Sequence, residues 1–235
     1  MPEAPQPENL CILATETKIL DNLTEATYLC MHNTEESNLK LGDICEIGSG
    51  HTARGRLEIS PEGGRLAVQL RDVQSDDDLA AKPLQRYMLD DLPERHVVRG
   101  GEVIFKSRGE PNVAAPVTAK LEEPIAVILP LVILRPRAGL TLPDYLAWAI
   151  NQPRSQRYFD TEAQGTSMRM ISKAVLEKLD LPLPDLETQA RIVAIHKLAK
   201  REGALLRDLA ERREQLSSII LAERARAGRN KELAQ

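Results

Sequence analysis

From Asp185 to about Arg226 the chain runs without a proline and with a single glycine, Gly203. Asp185 brings the acceptor that caps the first N–H groups of a helix, so the segment predicts about 60 Å of continuous helix at ~1.5 Å rise per residue. In heptads, one set of seam positions is Ile192, Ala199, Leu206, Arg213 and Ile220; the other is Ile195, Glu202, Leu209, Leu216 and Glu223. A helix this long cannot lie wholly on a domain built from the rest of a 235-residue chain. Its apolar seam, Ile192, Ile195, Ala199, Leu206, Leu209, Leu216 and Ile220, is therefore expected to meet another helix, from a second copy or from a partner protein. Folding back on its own sheet is the alternative, and it leaves much of the stripe wet.

The segment before the helix has a different texture. Residues 1–37 begin Pro-rich, carry only a weak helical pattern through Ile19, Leu23 and Ala26, and read as an acidic N-terminal arm. From Leu39, short apolar runs are cut by Gly, Pro and Asp, the pattern of strands joined by turns. Leu41 to Ile47 reads as one strand. Leu66, Val68 and Leu70 alternate with Arg65, Ala67, Gln69 and Arg71, which predicts a half-buried strand with a polar face. Gly100-Gly101 turns into a strand at Val103-Ile104-Phe105. Ile125 to Leu134, broken by Pro130, is too short for a bilayer and reads as a buried strand pair. Thr141-Leu142-Pro143-Asp144 predicts a capped helix to about Asn151, stopped by Pro153, and a second short helix starts at Ser172. Leu181-Pro182-Leu183-Pro184 must be extended, because the residue before a proline avoids the α region.

The expected fold class is α+β: a mixed, mainly β domain with short helices over residues 38–184, a long coiled-coil-forming helix over 185–228, and a polar tail over 229–235. Net charge is −4 overall but uneven: −7 over residues 1–46, −1 over 47–186 and +4 over 187–235. The near-neutral middle leaves room for arginines grouped on one face, as phosphate contacts require.

Catalytic signatures are missing from the sequence. Cys11, Cys30 and Cys45 are odd in number and without a CxxC pair, and His32, His51, His96 and His196 lack metal-ligand spacing, so no metal is expected. Ile47-Gly48-Ser49-Gly50-His51-Thr52 is a lone GxG without the Lys and following helix of a phosphate loop. No GxSxG elbow, no cofactor-binding turn and no Asn/Asp-Pro-Pro-aromatic catalytic turn occurs, so neither cofactor nor catalysis is expected. Aromatic residues at 3% leave few rings for stacking unpaired bases, while duplex DNA stays permitted. The polar start of the chain lacks a secretory pattern, which sets the expectation of a cytoplasmic protein with no membrane partner.

Two loops are rich in hydrogen-bonding groups beside glycine: Lys106-Ser107-Arg108-Gly109-Glu110-Pro111-Asn112 and Gln164-Gly165-Thr166-Ser167-Met168-Arg169. Arg pairs with guanine edges, Asn and Gln pair with adenine, and Ser, Thr and Lys hold phosphates. The same compositions occur on any polar surface: Arg108 serves equally as a salt bridge shaping its turn, and Gly165-Thr166 as a turn.

The order of several blocks is more specific. Leu41-Gly42-Asp43-Ile44 leads into Gly48. Next come Gly101-Glu102-Val103-Ile104-Phe105-Lys106-Ser107-Arg108-Gly109 and Gly165-Thr166-Ser167-Met168 to Leu179, then Leu183-Pro184-Asp185-Leu186-Glu187-Thr188-Gln189-Ala190-Arg191-Ile192-Val193. Over about residues 39–226 this resembles a target recognition domain and its following helix from the DNA specificity subunits of type I restriction-modification enzymes, most specifically between Gly165 and Val193. In that family two recognition domains read the halves of a bipartite target. Two antiparallel helices hold them apart and also bind methyltransferase subunits, and the subunit itself is non-catalytic.

The resemblance implies a half-length specificity subunit with one recognition domain and one long helix, working as a homodimer on inverted half-sites. Its partners would be double-stranded DNA, methyltransferase subunits and, in a full complex, a restriction subunit. On this reading the candidate DNA-binding residues are His51, Thr52, Arg54, Gln69, Arg71, Lys106, Arg108, Asn112, Gln164, Ser167 and Arg169. The alternatives are a stand-alone DNA-binding regulator and a protein-binding inhibitor or assembly factor that uses the acidic arm.

Overall fold

The computed structural model describes residues 38–53, 55, 57–60, 62–74, 78–79, 83–89, 92–117, 121–163 and 170–232, with side chains on the last helix described to Arg224. The acidic arm, Arg54, Gln164, Gly165, Thr166, Ser167 and Arg169 lie outside these residues. Ten short strands occur in chain order: β1 (Asn38–Lys40), β2 (Cys45–Ser49), β3 (Arg65–Val68), β4 (Gln85–Tyr87), β5 (Val97–Val98), β6 (Val103–Lys106), β7 (Ala114–Pro116), β8 (Ile125–Val127), β9 (Leu131–Pro136) and β10 (Asp180–Pro182). The helices are α1 (Leu41–Ile44), α2 (Pro143–Asn151), α3 (Pro153–Glu162), α4 (Lys173–Glu177) and α5 (Leu186–Glu232). The expected α+β architecture with a long last helix is the one observed.

One four-stranded sheet has the order β2-β9-β6-β7 and another the order β4-β3-β8-β5, while β1 pairs with β10. Alternation along the strands stacks them. Val103, Phe105, Val132 and Leu134 face Tyr145, Leu146, Phe159 and Leu176 of the helices, whereas Ile104, Leu131 and Ile133 turn the other way onto Val68, Val98, Ile125 and Val127 of the second sheet. On the far face of that sheet, Ala67, Tyr87, Val97, Ala126 and Ile128 form a third cluster, covered by Ala53, Leu57 and Leu89. Both faces of the first sheet and the inner face of the second are covered, which explains why the central strands read as unbroken apolar runs.

Several local expectations change. Leu41–Ile44 is a helical turn, with Leu41 and Ile44 fully buried, and the strand begins only at Cys45. β8 and β9 do not pair with each other: β8 lies between β3 and β5, β9 lies between β2 and β6, and the turn at Leu129-Pro130 carries the chain from sheet to sheet. The strand at Arg65 ends at Val68, and Leu70–Asp72 is a 3-10 turn, so Gln69 and Arg71 sit on a turn rather than a strand face. Pro153 does not merely stop α2; it is the first residue of α3, where its missing N–H costs nothing. Thr141 does not cap α2, because Leu142 is the N-cap and its N–H donates to Gln189 Oε1 at 2.8 Å. Ser172 does cap its helix, with Oγ accepting from Val175 N–H at 3.3 Å. Cys45 is a buried thiol pushed up to about 12 by burial, with the Arg137 charge acting weakly against it.

Candidate nucleic-acid interface

The turn Leu129-Pro130 gathers the ends of three other strands. β3 runs parallel to β8, with Val68 opposite Val127, so the chain leaves β3 beside this turn and proceeds directly to Gln69 and Arg71. β2 and β6 flank β9 on either side, Ser49 opposite Val132 and Lys106 opposite Leu131, so His51-Thr52 and Lys106-Ser107-Arg108 emerge at the same end. Backbone bonds lock the convergence: His51 N–H donates to Val127 O at 2.7 Å, and Leu129 N–H donates to His51 O at 3.0 Å. Ser107 Oγ donates to Pro130 O. Gly50 permits the close approach, since a Cβ there would stand 2.9 Å from backbone atoms of Val127, Ile128 and Leu129.

Around that end, the individual candidates differ. Thr52, Arg71 and Arg108 are exposed, and His51, Gln69 and Lys106 are half-buried. His51 packs edge-on against His96 with ring centroids 5.6 Å apart, and His96 Nδ1 lies 2.8 Å from Ser49 O. Gln69 has its backbone N–H held by Asp72 Oδ2 at 2.8 Å. Arg108 forms an isolated bridge with Met170 and reaches its sulfur at 3.9 Å, which brings Met170 against the same edge. Asn112 does not belong with them. It is 3% exposed, and its Nδ2 donates to Lys106 O at 3.1 Å, closing the loop that follows β6. At that exposure the amide has almost no surface to present to a base, and its bond holds the turn instead.

Beside this edge, on the outer face of the second sheet, lies an open groove of about 1050 Å3 lined by Gln69, Arg71, Gln85 and Tyr87 together with Glu58 and Asp72. Gln85 and Tyr87 escaped sequence reading because β4 is three residues long, too short for periodicity to register. Gly64, at φ +72, lets β3 enter beside Tyr87, whose carbonyl oxygen would stand 2.4 Å from any Cβ there.

No protein-family model matches the chain, and no curated protein matches it. Solved structures do. A chain from a structure describing complex assembly and conformational transition of the type I R-M system superposes over 90% of this chain with TM-score 0.58 and 23% identity. The HsdS subunit from Thermoanaerobacter tengcongensis superposes over 85% with TM-score 0.52 and 22% identity. The type I restriction-modification S subunit from M. genitalium covers 72% with TM-score 0.50 and 13% identity. The fold is that of a type I specificity subunit. The chain spans about half the length of these solved chains, 52%, 50% and 40% respectively.

In this specificity-subunit fold, α5 leaves the domain as a rod of 47 residues, about 70 Å long. Asp185 caps it, accepting from Thr188 N–H at 2.9 Å, and those bonds hold its carboxyl below the usual carboxylate range. The helix runs to Glu232, past the expected end at residue 228. Gly228, a residue that costs about 1 kcal/mol in mid-helix, does not break it among good helix formers. Of the expected seam, Ile192 packs on its own domain together with Val193. Ile195, Leu206, Leu209, Leu216 and Ile220 are exposed, as is Ala199. Leu198, Leu205 and Ile219 are also bare, repeating at whole heptads one position before Ala199, Leu206 and Ile220, a neighbouring stripe that the single heptad frame left out; Leu221 is bare beside Ile220. Among the described residues no helix is long and apolar enough to cross a membrane.

Proposed function

We propose that this chain is a non-catalytic DNA-recognition module of a type I restriction-modification complex. In it, two copies pack α5 antiparallel, and each reads one half of an inverted duplex target. The carrying observation is the convergence of His51, Thr52, Gln69, Arg71, Lys106 and Arg108 at one edge, from three separate strand ends. Polar and basic side chains at a single edge suit the combination of phosphate and base-edge contacts that duplex recognition needs.

A second copy is the occupant favoured for α5. Antiparallel self-pairing buries the exposed seam of Leu206, Leu209, Leu216 and Ile220 of one copy against that of the other across a two-fold axis. Two-fold protein symmetry then imposes inverted half-sites on the DNA. Methyltransferase subunits, with a restriction subunit in the complete enzyme, are the protein partners of this reading. Arg54, Gln164, Ser167 and Arg169 remain proposed contacts.

Co-purification with methyltransferase subunits, followed by mapping of methylated sites, tests this reading. The expected result is a palindromic bipartite methylation motif and a solution mass containing two copies of this chain. A single copy in the assembly bound to DNA overturns the homodimer, and an assembly without any methyltransferase overturns the complex.

A further inference from the structure

Three side chains in the groove beside the converging strand ends form a closed hydrogen-bonded triangle. Arg71 Nη2 donates to the Tyr87 hydroxyl at 2.7 Å and to Gln85 Oε1 at 3.0 Å, and the Tyr87 hydroxyl donates to Gln85 Oε1 at 2.8 Å. Tyr87 is 3% exposed and packed in the third core cluster, so its hydroxyl is a fixed post. Arg71 and Gln85 are exposed at the groove wall.

The triangle decides what the groove can offer. Gln85 Oε1 faces two donors, and flipping the amide would set N–H against N–H, so Nε2 must be the outward atom. Both protons of Arg71 Nη2 are used inward. Among the described residues, nothing bonds Arg71 Nη1 or Gln85 Nε2. The free groups on the two exposed side chains of the triangle are therefore donors, while the remaining lone pair of the Tyr87 hydroxyl belongs to a residue only 3% exposed.

Two adjacent donors and no acceptor match one base edge in the major groove. Guanine presents O6 and N7, both acceptors, whereas adenine presents N7 beside an N6 donor that would be left facing a donor. A phosphate is also an acceptor, but the acidic groups at hand disfavour an anion: Asp72 Oδ1 stands 3.8 Å from Arg71 Nε, and Glu58 lines the same groove.

We propose that Arg71 and Gln85, locked by Tyr87 as a positioning residue, form a donor-only reader that selects guanine in each half-site. This rests on the DNA-recognition reading above and adds to it a base identity and the residues that set it.

The test is selection from a randomised duplex DNA library by the assembled complex, with wild-type chain, Tyr87→Phe, Gln85→Ala and Arg71→Ala. Tyr87→Phe keeps the buried ring and removes only the post. The wild type should enrich a guanine that each variant relaxes at that position alone, with discrimination falling roughly tenfold. In the selected duplex, 7-deazaguanine at that position should weaken binding by a similar factor, and inosine, which keeps N7 and O6, should not. A variant series that weakens all sequences equally, with a shallower salt dependence, means a phosphate contact and overturns the inference. Enrichment of adenine at that position overturns it too. Failure of the wild type to enrich any sequence sinks DNA recognition itself, and the reader with it.

Discussion

The first three turns of α5 and the rest of the same helix are built from similar residues, yet one part is clamped and the other is bare. Gln189 is 0% exposed and acts as the clamp: Oε1 accepts from Leu142 N–H at 2.8 Å, and Nε2 donates to Pro184 O at 2.8 Å and to Leu140 O at 3.0 Å. Ile192 and Val193 pack behind it, and Lys197 pairs with Asp144 at 2.6 Å. Beyond this point Leu198, Leu205, Leu206, Leu209, Leu216, Ile219, Ile220 and Leu221 are between 48% and 69% exposed. Each such side chain, still about half to two-thirds exposed, forgoes roughly 1–2 kcal/mol of what full burial gives. The difference teaches that attachment to the domain is specified by one buried amide and a short apolar patch, while the richer apolar face stays bare and is the one proposed to meet another chain.

Charging the bare part should give the largest effect. Leu206→Asp combined with Leu209→Asp buries unpaired carboxylates in the proposed seam, at a cost of several kcal/mol. Sedimentation should show self-association weakened by about a thousandfold or more, with the melting temperature of the globular domain unchanged. An unaltered mass would break the contrast between the two parts of the helix.

Next in size is the clamp. Gln189→Ala removes three hydrogen bonds and leaves their backbone partners buried, a loss of about 3 kcal/mol read by urea unfolding. A loss below about 1 kcal/mol would mean that apolar packing alone docks the helix.

The same division between inward and outward groups recurs in the loop after β6. Asn112→Ala should cost about 1–2 kcal/mol through its lost turn bond. Arg108→Ala should leave stability within about 0.5 kcal/mol while weakening DNA binding by the assembled complex. If the two residues exchange these effects, the assignment of roles around the converging strand ends is wrong.

The smallest effect concerns the cap. Because its hydrogen bonds lower the Asp185 pKa in the folded chain, the stability it adds is complete above the ordinary carboxylate value of about 4 and is lost as pH falls through its lower folded value. Asp185→Ala should thus be less stable than wild type at neutral pH, and the gap should shrink in strong acid. A gap independent of pH would assign the cap to geometry rather than charge.

Much of this molecule is local in origin and hence legible. The long helix, its Asp185 cap and the Ser172 cap follow from residues within a turn or two of each other. Signals that point two ways locally were misread. Pro153 is compatible with ending one helix or starting the next, and only the packing of Phe159 into the core chooses the start. Ala67, assigned to a polar face, is 1% exposed because Tyr87 and the segment around Leu57 cover it from elsewhere in the chain. Asn112 and Arg108 carry equally suitable chemistry four residues apart, and burial alone distinguishes them.

By itself, the sequence determined that a long sticky helix follows an α+β domain lacking catalytic motifs, because caps, helical period and signature residues are properties of neighbouring positions. Tertiary structure decided what that domain presents. Strand order is non-local, and only the flanking of β9 by β2 and β6, with β3 parallel to β8, carries His51, Arg71 and Arg108 to one edge. Hydrogen-bond direction also needs a distant residue: Tyr87 is two positions from Gln85, but only Arg71, brought in from 14 residues away, adds the second donor that fixes the Gln85 acceptor inward and leaves its donor facing out.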